Sequence, residues 1–165
     1  LVQQVNGEFA ERFESRNLDL ICILQPEPLL ICADSRRIWR VLENLYVNVC
    51  KYAMPGTRVY VDAIKKDGKI QLSIKNISEN PLNFQADELT ERFIRGDVSR
   101  STEGSGLGLS IAKNLTVLQH GSFNIYLDGD LFKVTITFDE AVKEKKPMPP
   151  MIVPEAVQEE AQQDA

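Results

Sequence analysis

Three side chains in RVLENLYVNVCKYA, residues 40–53, recur at helical spacing: Asn44, Asn48 and Lys51. At 100° per residue they fall within about 60° of one another, along one edge of an apolar face made by Ile38, Val41, Leu42, Leu45, Val49 and Tyr52. An asparagine amide oxygen suits a hard cation such as Mg²⁺, which keeps several waters and takes phosphate oxygens for its other positions. Lys51 adds a mobile positive charge one turn further on, and Tyr52 offers a ring face to a base. The competing reading is a solvated polar stripe on an amphipathic helix, with Tyr52 in the core.

A second stretch, TEGSGLGLSIAKNL at 102–115, sets Gly104, Gly106 and Gly108 at alternate positions ahead of an apolar helical run. Glycines let backbone N–H groups approach a phosphate, and the start of the following helix adds the positive end of its dipole. Two other phosphate-binding patterns are excluded. A Walker A loop carries Lys-Ser or Lys-Thr after its last glycine, where this chain has Leu109-Ser110. A dinucleotide fingerprint needs a glycine where Leu109 stands, and a preceding strand where the chain has a charged, irregular loop. The stretch therefore reads as a hinge that is also a cradle, with Leu107, Leu109, Ile111 and Ala112 anchoring the helix.

These groups need a frame. The chain has 165 residues, 43% of them hydrophobic and 26% charged, which fits one soluble globular domain with unpacked sequence at its ends. A net charge of −5 argues against a nucleic-acid or anionic-membrane surface, so any phosphate must be gripped locally. Apolar runs such as LDLICIL are too short to span a bilayer, and the start at Leu1 reads as a fragment of something longer. Cys22, Cys32 and Cys50 match no zinc spacing and are expected to be buried free thiols.

Along the chain, residues 1–17 read as a linker from an upstream domain. Leu18 to Leu24 and Leu29 to Cys32 read as strands around Pro26 and Pro28, and Asp34 as the N-cap of a helix from about Ser35 to Tyr52. Two alternating runs, Arg58 to Ile64 and Lys69 to Lys75, meet at Asp67-Gly68 as a hairpin. Residues 77–104 form an irregular lid with one short helical candidate, Asp87 to Phe93. A helix to about Gln119 follows, then a hairpin of Phe123 to Leu127 and Leu131 to Phe138. Residues 141–165 hold four of the eight prolines and read as a polar tail. Helices on one face of a mostly antiparallel sheet would bury both sets of apolar stripes.

Taken together, these stretches resemble the catalytic ATP-binding domain of bacterial sensor histidine kinases, within the wider GHKL family of gyrase, heat-shock chaperone and MutL ATPases. NLYVNVCKY, residues 44–52, is similar to the asparagine box, ERFIRGD at 91–97 to the phenylalanine box of the lid, and GSGLGL at 104–109 to the second glycine box. The resemblance covers about Leu18 to Phe138, within an ATP-binding domain read as 18–140, and implies an α+β, two-layer Bergerat-type sandwich: a mixed, mostly antiparallel sheet of about five strands, about three helices on one face, and an ATP lid. It further implies that Asn48 ligates Mg²⁺, Asn44 binds nearby phosphate or metal-bound water, and Lys51 faces the phosphates. Tyr52 would lie beside the adenine, and Arg95 would reach the terminal phosphate or instead pair with Asp97 and Glu91 on the surface. Gly104, Ser105, Gly106, Leu107, Gly108 and Leu109 would cradle the nucleotide.

One box departs from the pattern. Where the family carries an aspartate and then glycines at the end of the second hairpin strand, this chain has Asn76 and Ser78. An Asn oxygen still accepts from adenine N6, without charge assistance, provided its NH₂ finds another partner. Relatives that hydrolyse ATP place a glutamate where Asn44 stands, and an amide cannot take a proton from water; Glu43 next to it is rotated by about 100°. The only histidine, His120, stands before Gly121 and reads as a helix C-terminal residue, so the phosphoacceptor histidine must lie on another domain.

The resemblance thus implies a two-component sensor histidine kinase. Its γ-phosphoryl would pass to a histidine on the dimerisation domain of the same parent and then to a response regulator. The fragment would be a monomeric cytoplasmic domain of a membrane-anchored, homodimeric parent. Two alternatives remain at this stage: a GHKL protein serine kinase, and a nucleotide-sensing or docking module that has lost catalysis.

Overall fold

The computed structural model describes residues 1–82 and 107–141. Asp67-Gly68 and Gly129 set the two hairpins. Asp67 (φ 51°) and Gly68 (φ 71°) both take the left-handed conformation that a tight two-residue turn requires, and Gly129 sits at φ 56°. They join β2 (Arg58–Lys66) to β3 (Lys69–Ile77) and β4 (Ser122–Asp128) to β5 (Leu131–Asp139). With β1 (Asp19–Leu24) these strands form one sheet in the order β1-β2-β3-β5-β4, in which β1 runs parallel to β2 and every other pair is antiparallel.

Strand alternation then decides which face is buried. Ile70, Leu72 and Ile74 of β3 pair with Phe138, Ile136 and Val134 of β5 and enter the core, while Lys75 and Lys133 pair on the opposite face. Three helices among the described residues, α1 (Val2–Ser15), α2 (Ser35–Tyr52) and α3 (Gly108–Leu118), bury their apolar residues in the same core. The expected two-layer α+β sandwich is the fold observed.

Asp34 caps α2 as the sequence predicts: its Oδ1 accepts from the backbone N–H of Arg36 at 2.8 Å and of Arg37 at 3.1 Å. Residues 1–17 contain α1, whose Val5, Phe9 and Phe13 lie in the common core. The ring of Tyr46 meets Phe9 and Phe13 at centroid distances of 5.4 and 5.6 Å, and its hydroxyl donates to Asn6. Burial pushes the Tyr46 phenol well above its ordinary pKa.

Two expectations are corrected. Leu29 to Cys32 does not form a strand; it makes one bridge, Ile31 to Glu140, with the Ala141 N–H donating to Leu30 O at 2.9 Å. Pro26 and Pro28 lack the N–H a ladder needs, and pairing begins only one residue past the end of β5. Cys22 and Cys32 are exposed and Cys50 is half-buried, because Cys22 lies on an edge strand and Cys32 in the irregular connection to α2. The lid candidate Asp87 to Phe93 and the tail beyond residue 141 lie outside the described residues.

Candidate functional site

The two motif-bearing helices meet directly. α2 and α3 run antiparallel, since Gln119 Oε1 past the end of α3 accepts from the Asp34 N–H before α2 at 2.8 Å, whereas Gly108 at the start of α3 lies against Asn44. A methyl built on Gly108 would stand 3.4 Å from Asn44 Oδ1. The antiparallel course aims the N-terminus of α3 along α2 toward its last two turns, which carry Asn48, Lys51 and Tyr52. That end of α3 has Leu107 at its N-cap and no side-chain cap. Among the described residues no side chain caps its first backbone N–H groups, which is the arrangement that favours an anion.

Each side chain on the α2 stripe is half-buried. Asn44 donates its Nδ2 to Arg40 O one turn back at 2.7 Å, which leaves its oxygen toward Gly108. Lys51 Nζ rests 5.1 Å from the centre of the Tyr52 ring, a cation–π contact. Glu43 is held by Arg40 at 2.5 Å, an ion pair along the helix surface, so the carboxylate next to Asn44 in sequence is already engaged. Leu109 is buried in the core, and the exposed Leu107 precedes it.

A third wall comes from the end of β3. Asn76 pairs with Phe132 on the helix-facing side of the sheet and is 3% exposed. Its Nδ2 donates to Ile77 O at 3.2 Å, while its Oδ1 is buried with no hydrogen-bond partner among the described residues. An unpaired buried acceptor costs free energy unless a donor arrives. The strand end is stitched to the end of α2: Met54 N–H donates to Ile77 O and Glu79 N–H to Tyr52 O, both at 2.8 Å, and Ala53 bridges Ser78. Ser78 is buried, with its N–H spent on Asp130 O at 2.7 Å. Asn76 and Ser78 therefore share one end of the site with Tyr52, and Asn44 and Gly108 lie two turns back along α2.

Among the described residues no three His, Cys, Asp or Glu side chains gather as a metal cluster. A cation here would rest on the Asn48 amide together with ligands brought by phosphate and water, and that donor set fits Mg²⁺. Arg95, Gly104, Ser105 and Gly106 lie outside the described residues. His120 is exposed at φ 64°, with its N–H on Val117 O at 2.9 Å and that of Gly121 on Thr116 O at 3.0 Å. This double bond closes α3 in a Schellman turn and leaves His120 a structural role. Sequence reasoning missed Arg16, which reaches the strand-end wall from α1 without any local signal in its own neighbourhood.

Comparison with known proteins bears on the family and the fold. The model of the histidine kinase-, DNA gyrase B-, and HSP90-like ATPase family matches residues 33–142. The signal transduction histidine-protein kinase BaeS of Escherichia coli (strain K12) is 32% identical over 123 residues, which cover 73% of this chain and 26% of BaeS. The sensor histidine kinase RppB of Synechocystis sp. is 28% identical over 127 residues, 76% of this chain and 28% of RppB. The chain thus spans roughly a quarter of the length of the curated relatives it matches. The catalytic domain of histidine kinase ThkA shares the fold with a TM-score of 0.72 at 23% identity, over 84% of this chain and 90% of that one. No helix among the described residues is long and apolar enough to cross a membrane.

Proposed function

The chain belongs to the histidine kinase-, DNA gyrase B- and HSP90-like ATPase family, and we propose that it is the catalytic domain that supplies ATP in a sensor histidine kinase. The observation that carries this reading is the antiparallel seating of α3 on α2, with Gly108 against Asn44 and the uncapped helix start directed at Asn48 and Lys51.

The nucleotide would lie across this surface with its phosphates toward α3 and its base toward β3. The amide oxygen of Asn48 offers the metal ligand, Asn44 Oδ1 meets a phosphate-side water, and Lys51 turns from the Tyr52 ring to a phosphate oxygen. Mg²⁺, when bound, neutralises charge on the transferring phosphoryl group. Backbone N–H groups from Leu107 to Ser110 add the helix-start contribution, and Gly104, Ser105, Gly106 and Arg95 extend the cradle and lid on the strength of the resemblance. At the base end, Asn76 Oδ1 accepts from an exocyclic amine while its NH₂ stays on Ile77 O, and Tyr52 flanks the ring.

This division of the Asn76 amide supports adenine recognition without the usual carboxylate and argues against the docking-module alternative. With Asn44 unable to act as a base and Glu43 paired to Arg40, water is not activated, so ATP persists until a stronger nucleophile reaches it. That nucleophile is a histidine on the dimerisation domain of a homodimeric, membrane-anchored parent. The phosphoryl group then passes to a response regulator, and this domain acts on the cytoplasmic side.

Labelling of the full-length parent with γ-labelled ATP tests the proposal. The account expects acid-labile, base-stable phosphohistidine in the parent and its loss in Asn48→Ala. Acid-stable label would favour the serine-kinase alternative, and equal labelling of both proteins would remove Asn48 from the mechanism.

A further inference from the structure

We propose that Arg16 is a positioning residue for the base end of this site, a cation lent by α1 that closes the end of α2 and holds the wall carrying Asn76 and Ser78. The inference rests on the nucleotide-binding reading above. Arg16 follows the last turn of α1, and its NH2 group donates to Ala53 O at 3.2 Å and to Glu79 Oε2 at 3.1 Å. Ala53 is the C-cap of α2, so the guanidinium meets one of the carbonyls that a helix end leaves unpaired, at the negative end of the dipole. Ala53 directly follows Tyr52, and Glu79 directly follows Ser78.

An exposed ion pair alone would contribute little. Here the pair is one strand of a seam. Glu79 is also held through its N–H on Tyr52 O, and the neighbouring Asn17 accepts from Gly56 N–H at 2.7 Å. Arg16 Nε is buried with no hydrogen-bond partner among the described residues, so Nη2 alone makes the contacts of the guanidinium. A displacement of the α1 terminus therefore pulls on both segments that present Tyr52 and Asn76. The phosphate end is fixed mainly by α3 against Asn44, with only Lys51 beside Tyr52 touching the seam, and should respond less.

The test uses the whole chain with Arg16→Ala, Arg16→Lys and Glu79→Gln. Dissociation constants are measured for Mg-ATP and for Mg-tripolyphosphate, which lacks the base, and amide hydrogen exchange is followed without nucleotide. The clamp predicts that Arg16→Ala weakens ATP about three- to tenfold, the scale of one ordinary hydrogen bond because the effect is transmitted rather than direct, and weakens tripolyphosphate less. Arg16→Lys recovers part of the loss, and exchange of the Glu79 N–H accelerates. If Arg16→Ala does not fold, Arg16→Lys and Glu79→Gln must show the same split in smaller measure. Equal weakening of both ligands, or unchanged exchange at Glu79, overturns the proposal. If the unaltered chain binds neither ligand, the nucleotide reading fails, and with it the role of Arg16 at a base site, whatever the exchange shows of the clamp.

Discussion

The starts of α2 and α3 solve the same problem in opposite ways. Both leave backbone N–H groups without intrahelical partners, but Asp34 satisfies two of them in α2 with its own carboxylate, whereas α3 begins at Leu107-Gly108 with no side chain of the described residues turned back on it. The first end is finished within the protein, and the second is left open beside Asn44. The same helix closes its far end tightly, with His120 in the left-handed region and Gly121 packed where a methyl would stand 2.6 Å from the Phe138 ring. On the proposed reading, one end of α3 serves a ligand and the other stability.

The sharpest way to break this contrast is Gly121→Ala. Its Cβ would collide with Phe138 and with Thr116, so thermal unfolding should show about 1–3 kcal/mol of lost stability, with the ATP affinity of the folded protein unchanged. Asp34→Ala should lower Tm by a few degrees and likewise spare nucleotide binding. Backbone N–H bonding from Arg37 is the main cause that holds the Asp34 pKa below its ordinary 3.8, with Arg36 and the two guanidinium charges adding to it. A lowered folded-state pKa stabilises the protein above the unfolded value and loses that contribution as pH falls through the folded one. The Tm gap between the two proteins should therefore narrow below about pH 4.

Gly108→Ala should have the smallest effect on stability and the opposite sign. The added methyl makes only ordinary contact with Asn44, and an alanine suits a helix better, so stability should rise by about 0.5 kcal/mol. ATP affinity should fall even as stability rises, because the methyl fills the space between Asn44 and the first N–H groups of α3. Stability and binding moving in the same direction in a paired denaturation and calorimetry experiment would count against a ligand at this end.

What was legible in the sequence follows from how local each signal is. The start and length of α2 came from an N-cap and a strong apolar period, and both hairpins from turn residues between alternating runs. Leu29 to Cys32 looked like a strand because apolar residues cluster there, yet nothing local reveals that it has only one partner residue. Tyr46 and Phe9 gave no separate sign that they would meet, since their contact depends on how α1 lies on α2. The site behaves similarly. Asn44, Asn48 and Lys51 declared themselves by spacing, and Gly108 by its place before a helix. The free oxygen of Asn76 and the reach of Arg16 emerge only when strand and helix ends are brought together.

The central claim is that the edge of α2 facing the open start of α3 is a Mg-nucleotide site with Asn48 as its metal ligand. Calorimetric titration of the chain with ATP, in Mg²⁺ and in EDTA, beside Asn48→Ala, tests it most directly. The account predicts binding that depends on Mg²⁺ in the unaltered chain and is weakened at least about tenfold in the variant, the scale of a lost ligand interaction. Absence of binding at millimolar ATP, or equal Mg²⁺-dependent binding in both proteins, would contradict it.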